Sequence, residues 1–191
     1  MFSATFSLPL QNSIKRFVKG QVYNVIVKGK GELKEIFTIK FDDNQREDKL
    51  LDLLNSDIFN PFLSIIFCKT NDEAKKVHNL IKDNGYKKVG ILNKDMNRRE
   101  INKVVKRIEN MDLVYLIATD KIARGMDFPG VSHIVNYSLP ADLNYFKHRI
   151  GRTDREGGAS GDVYLIFGDE DKQKLDLLQK KNNIKYKKVK V

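Results

Sequence analysis

Short apolar runs alternate along this chain with longer stretches whose apolar positions recur every three or four residues. The first kind reads as buried strands and the second as amphipathic helices. The pattern predicts a strand over 62–68, then a helix capped by Thr70 or Asn71, with Ala74, Val77, Leu80 and Ile81 on one face and a stop at Asn84-Gly85. A strand over 89–92 and a helix over 97–109 are expected next, the helix burying Ile101, Val104, Val105 and Ile108. The most apolar strand is expected over 113–118, and another over 131–137 after the Pro129-Gly130 turn. Helices over 141–150 and 169–180 should flank a strand over 163–167. Strands separated by helices imply right-handed crossovers and a parallel sheet covered on both faces. The expected architecture is a three-layer α/β/α sandwich over residues 33–180.

The first thirty residues follow a different pattern. Leu10 to Val18 suits a short helix, and Val22 to Val27 runs apolar into the turn Lys28-Gly29-Lys30-Gly31. Gly29-x-Gly31 lacks the third glycine and the strand-to-helix setting of a phosphate loop, so it reads as a turn.

Composition narrows the chemistry. A hydrophobic content of 41% suffices for a core, and no stretch approaches the apolar run of a membrane span. Met-Phe-Ser-Ala-Thr-Phe-Ser at the start does not read as a signal peptide. The single Cys68 excludes an internal disulfide and fits a reducing cytosol, so a soluble, cytoplasmic chain is expected; no membrane contact and a monomeric state are expected as well. One cysteine and three scattered histidines offer no metal cluster. Net charge is +10, but Lys180, Lys181, Lys185, Lys187, Lys188 and Lys190 carry six of those charges in the last twelve residues. Residues 181–191 therefore read as a basic tail, either an electrostatic clamp on nucleic acid or a solvating end.

Two arginine-bearing segments carry the most specific chemistry: Ala118-Thr119-Asp120-Lys121-Ile122-Ala123-Arg124-Gly125-Met126-Asp127 and His148-Arg149-Ile150-Gly151-Arg152-Thr153-Asp154-Arg155. A guanidinium presents a fixed fork of donors to phosphate oxygens, and such arginines are worth about 10³–10⁵ in rate where they stabilise a transferring phosphoryl group. These segments resemble the last two signature motifs of the DEAD-box ATP-dependent RNA helicases, in that family's order and spacing. Ser64 to Thr70 is similar to the family's motif IV, and Ser3-Ala4-Thr5 resembles motif III.

The resemblance implies a RecA-like fold: the C-terminal helicase domain over 33–180, preceded over 1–32 by the end of a first domain and an inter-domain linker. It implies Arg152 and Arg155 as catalytic arginine fingers, with Asp127 joining them in binding the nucleotide. Thr70, Thr119 and Gly125 would lie along the sugar-phosphate backbone of RNA, bound independently of sequence. Ser3, Ala4, Thr5, His148 and Arg149 would couple the two domains, although packing or ion pairing within one domain is an equal reading of His148 and Arg149. ATP and Mg2+ would be held mainly by the first domain, whose Gly-x-x-x-x-Gly-Lys-Thr loop and Asp-Glu-Ala-Asp motif this sequence lacks. The chain would then be a piece of a longer protein, inactive alone.

Three departures qualify the match. Asp154 stands where the family has glycine, Ile101 where it has arginine, and Asn93-Lys94 where it has histidine and a small residue. Two other readings stay open: a non-catalytic RNA-binding or adaptor domain of the same fold, which Asp154 favours, and a DNA-acting relative in the same helicase superfamily.

Overall fold

The structure, a computed structural model, describes residues 34–42, 45–123, 126, 128–153, 161–182 and 184–191. The chain divides into two compact units, Met1–Gly31 and Glu32–Val191, and every described residue belongs to the second. The expected helix near Leu10, the apolar run from Val22 and the motif at Ser3-Ala4-Thr5 lie outside the described residues.

In chain order the elements are β1 (Lys34–Lys40), α1 (Arg46–Asn55), β2 (Ser64–Cys68), α2 (Asn71–Asp83), β3 (Val89–Leu92), α3 (Arg98–Glu109), β4 (Tyr115–Thr119) and α4 (Asp120–Ala123). There follow β5 (His133–Asn136), α5 (Asn144–Ile150), β6 (Asp162–Phe167), a 3-10 turn at Asp169–Asp171, α6 (Lys172–Lys181) and β7 (Ile184–Lys188). The strands form one sheet in the order β3-β4-β2-β5-β6-β1-β7, every pair parallel. All strands therefore end on the same edge.

Successive side chains of a strand point to opposite faces, and the sheet separates two cores accordingly. Ile66, Ile117, Val135 and Ile166 pack against Leu50 and Leu53 of α1 and Ala74, Val77 and Ile81 of α2. Ile65, Leu116, Ile134 and Leu165 face Val104 and Ile108 of α3, Phe146 of α5, and Leu175 and Leu178 of α6. The helices start where their caps dictate. Thr70 accepts the Glu73 N–H at 3.1 Å, and Asn97 with Glu100 forms a capping box. Among the described residues no helix is long and apolar enough to cross a membrane.

The parallel sheet and its helical layers match the α/β/α expectation, with local differences. Phe62 lies outside β2 and is 57% exposed. Its N–H donates to Ser132 Oγ at 2.9 Å, and its ring lies over Gly130, where an added Cβ would come within 2.7 Å of it. α5 starts at Asn144 because Asp142 accepts the Asn144 N–H at 2.9 Å and turns the chain first.

A larger difference concerns the lysine-rich end. Residues 184–188 form β7, paired with β1 from Lys34↔Ile184 to Thr38↔Lys188. Ile184 is buried, and Tyr186 donates its hydroxyl to the Leu175 carbonyl at 3.1 Å. Two apolar side chains at strand spacing hold the segment down, while the lysines between them occupy the rim, as suits an edge strand. A solvating end would tolerate any substitution there. We expect Ile184→Ala to lower unfolding free energy by about 2–4 kcal/mol in urea titrations, and Lys185→Ala to stay within about 0.5 kcal/mol. Equal silence of both would remove β7 from the fold.

Candidate functional site

Ligands of open parallel sheets bind beyond the carboxyl ends of the strands, and of the residues singled out from the sequence Thr70, Thr119, His148, Arg149 and Arg152 are described at that edge. Thr119 closes β4 and stands in register with Cys68, the last residue of β2. Thr70 follows two positions later as the cap of α2. Both threonines line a cleft of about 460 Å³ together with Lys69, Asn71, Lys94 and Asp120.

Two buried atoms of this cleft, Thr119 Oγ1 and Asn71 Nδ2, have no hydrogen-bond partner among the described residues. A buried polar atom left unsatisfied costs about 1–3 kcal/mol, and Ser64 Oγ at the start of β2 is a third such atom among the described residues. Its charges are mixed. Lys69 and Lys94 meet Asp72, Asp95 and Asp142, and a hydrogen bond from Lys75 at 2.8 Å holds the Asp95 carboxyl below its usual range. Cys68, buried beside the cleft, is unsuited to nucleophilic work because burial pushes its thiol well up.

Arg149, near the end of α5, is almost completely buried, with 1% of its side chain exposed. Its Nε and Nη2 donate to the two carboxylate oxygens of Asp120 at 2.6 and 2.7 Å. Its Nη1 donates to Asn136 Oδ1 at 3.1 Å and to the Ser138 carbonyl at 2.7 Å. The guanidinium also lies over the Phe67 ring, 4.9 Å from its centroid. This is the intradomain ion pair, one of the two readings of Arg149 in the sequence. The carboxylate was already visible in Ala118-Thr119-Asp120, but its partner was not, because 29 residues separate the two.

Beyond α5 the chain folds back, Arg152 N–H reaching the Arg149 carbonyl at 3.1 Å. The Arg152 side chain is half-buried, and one guanidinium N–H donates to the carbonyl of Met126. With Tyr145, His148, Arg149 and Asp120 it surrounds a small recess next to the cleft. Arg152 and His148 thus share an edge with Thr119 and Thr70. Arg155, Asp127, Gly125 and Asp154 lie outside the described residues. No group of three or more His, Cys, Asp or Glu side chains among the described residues is placed to hold a metal ion. Asn71 and Ser138 were missed in the sequence, and only the position of Asn71 directly after a capping threonine hinted at the cleft.

Residues 45–157 match the helicase conserved C-terminal domain family. The chain is similar to the DEAD-box ATP-dependent RNA helicase CshB of Bacillus subtilis, 36% identical over 94% of this chain and 41% of that protein. CshB of Staphylococcus aureus is 33% identical over 94% of this chain and 40% of its own length. Among solved structures, Saccharomyces cerevisiae Dbp5 bound to RNA and ADP BeF3 superposes with a TM-score of 0.78 at 27% identity, covering 98% of this chain and 50% of that one. The chain spans about 40% of the length of the curated relatives it matches.

Removing one partner of a buried, hydrogen-bonded ion pair costs about 3–5 kcal/mol. Arg149→Ala should lose that much in chemical denaturation, and Arg149→Lys should recover only part of it, since an ammonium cannot replace a fork spread over three acceptor residues. A loss below about 1 kcal/mol would be the signature of a solvent-exposed pair instead.

Proposed function

The chain belongs to the DEAD-box RNA helicases as their C-terminal RecA-like domain, and on that premise we propose that it supplies half of an ATP-dependent RNA-unwinding machine. The single observation that carries this reading is the sharing of one sheet edge by two different sites. A polar cleft lies at Thr70 and Thr119, and Arg152 lies beside it at a small recess.

In this reading the cleft takes RNA. Thr70, Thr119 and Asn71, with Gly125, would offer hydroxyls and N–H groups to phosphate oxygens and 2′-hydroxyls. None of these groups reads a base edge, so binding is independent of sequence, and 2′-hydroxyl contacts favour RNA over DNA. With two lysines against four carboxylates around the cleft, directed hydrogen bonds contribute more than charge, and the salt dependence of binding is shallow.

Arg152, at the rim of the recess, serves the nucleotide. ATP with Mg2+, bound chiefly by a first RecA-like domain, supplies the phosphoryl group whose hydrolysis drives unwinding. Arg152, with Arg155, would hold the transferring phosphate oxygens, and Asp127 would accept from the ribose hydroxyls. A half-buried arginine whose fork is occupied at one N–H by a backbone carbonyl fits that task, since the remaining donors stay available. Arg149 acts within the domain by holding α5 and Asp120 in place. His148, with Ser3, Ala4 and Thr5, would couple this domain to the first. The working protein is cytoplasmic, and this chain alone is monomeric and has no turnover.

We expect RNA to stimulate ATP hydrolysis when this chain is joined to its first RecA-like domain, with matched DNA far less effective. Arg152→Ala should lower the stimulated rate by about 10³-fold or more. Equal stimulation by DNA, or a rate within about tenfold of wild type in the variant, would count against the assignment. A second expectation concerns the isolated 191-residue chain: it should release no phosphate from ATP, with or without RNA.

A further inference from the structure

Between the cleft and the recess lies a residue that neither site uses. Ser138, 4% exposed, follows β5 and makes contacts in two directions. Its carbonyl accepts Arg149 Nη1 at 2.7 Å. Its hydroxyl donates to Glu73 Oε2 at 2.6 Å and accepts the Lys69 N–H at 2.8 Å. The same Lys69 N–H also reaches Glu73 Oε2 at 2.6 Å. The backbone of Ser138 therefore grips the arginine helix, and its side chain grips the turn that presents Thr70.

Helix capping alone does not account for Glu73. In a capping box a glutamate three residues past the cap returns to the N–H of the capping residue itself. Here the Glu73 carboxylate reaches one residue further back, to Lys69, and is held there by the Ser138 hydroxyl. The backbone N–H of Glu73 meanwhile stays with Thr70 Oγ1 at 3.1 Å. A hydroxyl has one proton to give, and in this arrangement it goes to an ionised acceptor, which makes the contact short and directional. On the far side Arg46 approaches the second oxygen of Glu73 at 3.9 Å and bonds Asp171 at 3.2 Å, anchoring the carboxylate to the 3-10 turn after β6.

We propose that Ser138, with Glu73, is a positioning residue that registers the RNA-facing turn at Lys69-Thr70 against the arginine-bearing helix α5. The inference rests on the helicase reading above. Thr70 carries no hydrogen bond to α5 among those seen here, so its placement relative to Arg149 and Arg152 passes through the Ser138 hydroxyl and the strand ladder. Loss of the hydroxyl removes the side-chain tie between the turn and the end of β5, while Lys69 N–H keeps Glu73 and Arg149 keeps both Asp120 and the Ser138 carbonyl.

The test uses the intact helicase with a 20-nucleotide oligouridylate as RNA probe, measuring the RNA concentration that half-saturates ATPase stimulation and, separately, KM for ATP. Ser138→Ala should raise the half-saturating RNA concentration about tenfold, equivalent to about 1.4 kcal/mol, while KM for ATP stays within about twofold. Ser138→Thr, which keeps the hydroxyl, should return the RNA value towards wild type. Glu73→Ala, at a partly exposed site, carries the same expectation should Ser138→Ala fail to fold. A merely structural role would instead move both constants together with thermal stability, and that outcome overturns the proposal. So does an unchanged RNA value in Ser138→Ala or Glu73→Ala. An unmodified helicase showing no RNA stimulation would overturn the functional reading itself, and this inference with it.

Discussion

A guanidinium sealed inside a protein is tolerable only when its donors meet acceptors of matching geometry, and Arg149 meets them on three segments. The Asp120 carboxylate comes from the end of β4, Asn136 from β5, and the Ser138 carbonyl from the turn beyond it. One side chain therefore ties α5 to two strand ends. The mouths of both the cleft and the recess include Asp120, so the spacing between the two sites follows from where this pair sits.

The sheet makes that spacing possible. Parallel strands all finish on one edge, and neighbours lie about 4.8 Å apart. Thr119, the Lys69-Thr70 turn and Asn136-Tyr137-Ser138 accordingly come from β4, β2 and β5 side by side. Within a few strand widths the edge changes from a cleft with unsatisfied polar atoms to a recess lined by arginines and a histidine. In the proposed function both contacts would rest on one rigid element.

Much of this was legible before any coordinates. The apolar runs ending at Cys68, Leu92 and Phe167 coincide with the ends of β2, β3 and β6, since buried parallel strands must be apolar on both faces. β1, α1 and β7 escaped notice for physical reasons. β1 and β7 lie towards one edge of the sheet, β1 ending in lysines and β7 carrying exposed lysines around Ile184 and Tyr186. α1 packs one leucine-rich face on the sheet, yet opens with a charged turn and has no side-chain cap. Composition hid their periodicity.

The order of residues determined which chemistry the chain carries: arginines at fixed separation, threonines directly after apolar strands, and a carboxylate at Asp120. These are local properties, set by neighbours a few positions away. Only the tertiary structure decided which arginine is consumed within the fold and which stays near the surface. Arg149 and Arg152 lie three positions apart in one motif, but the first is enclosed by Asp120, Asn136 and Ser138, while the second retains solvent access beside Met126. That division depends on contacts between strands far apart in the chain, and spacing within a motif carries no record of them.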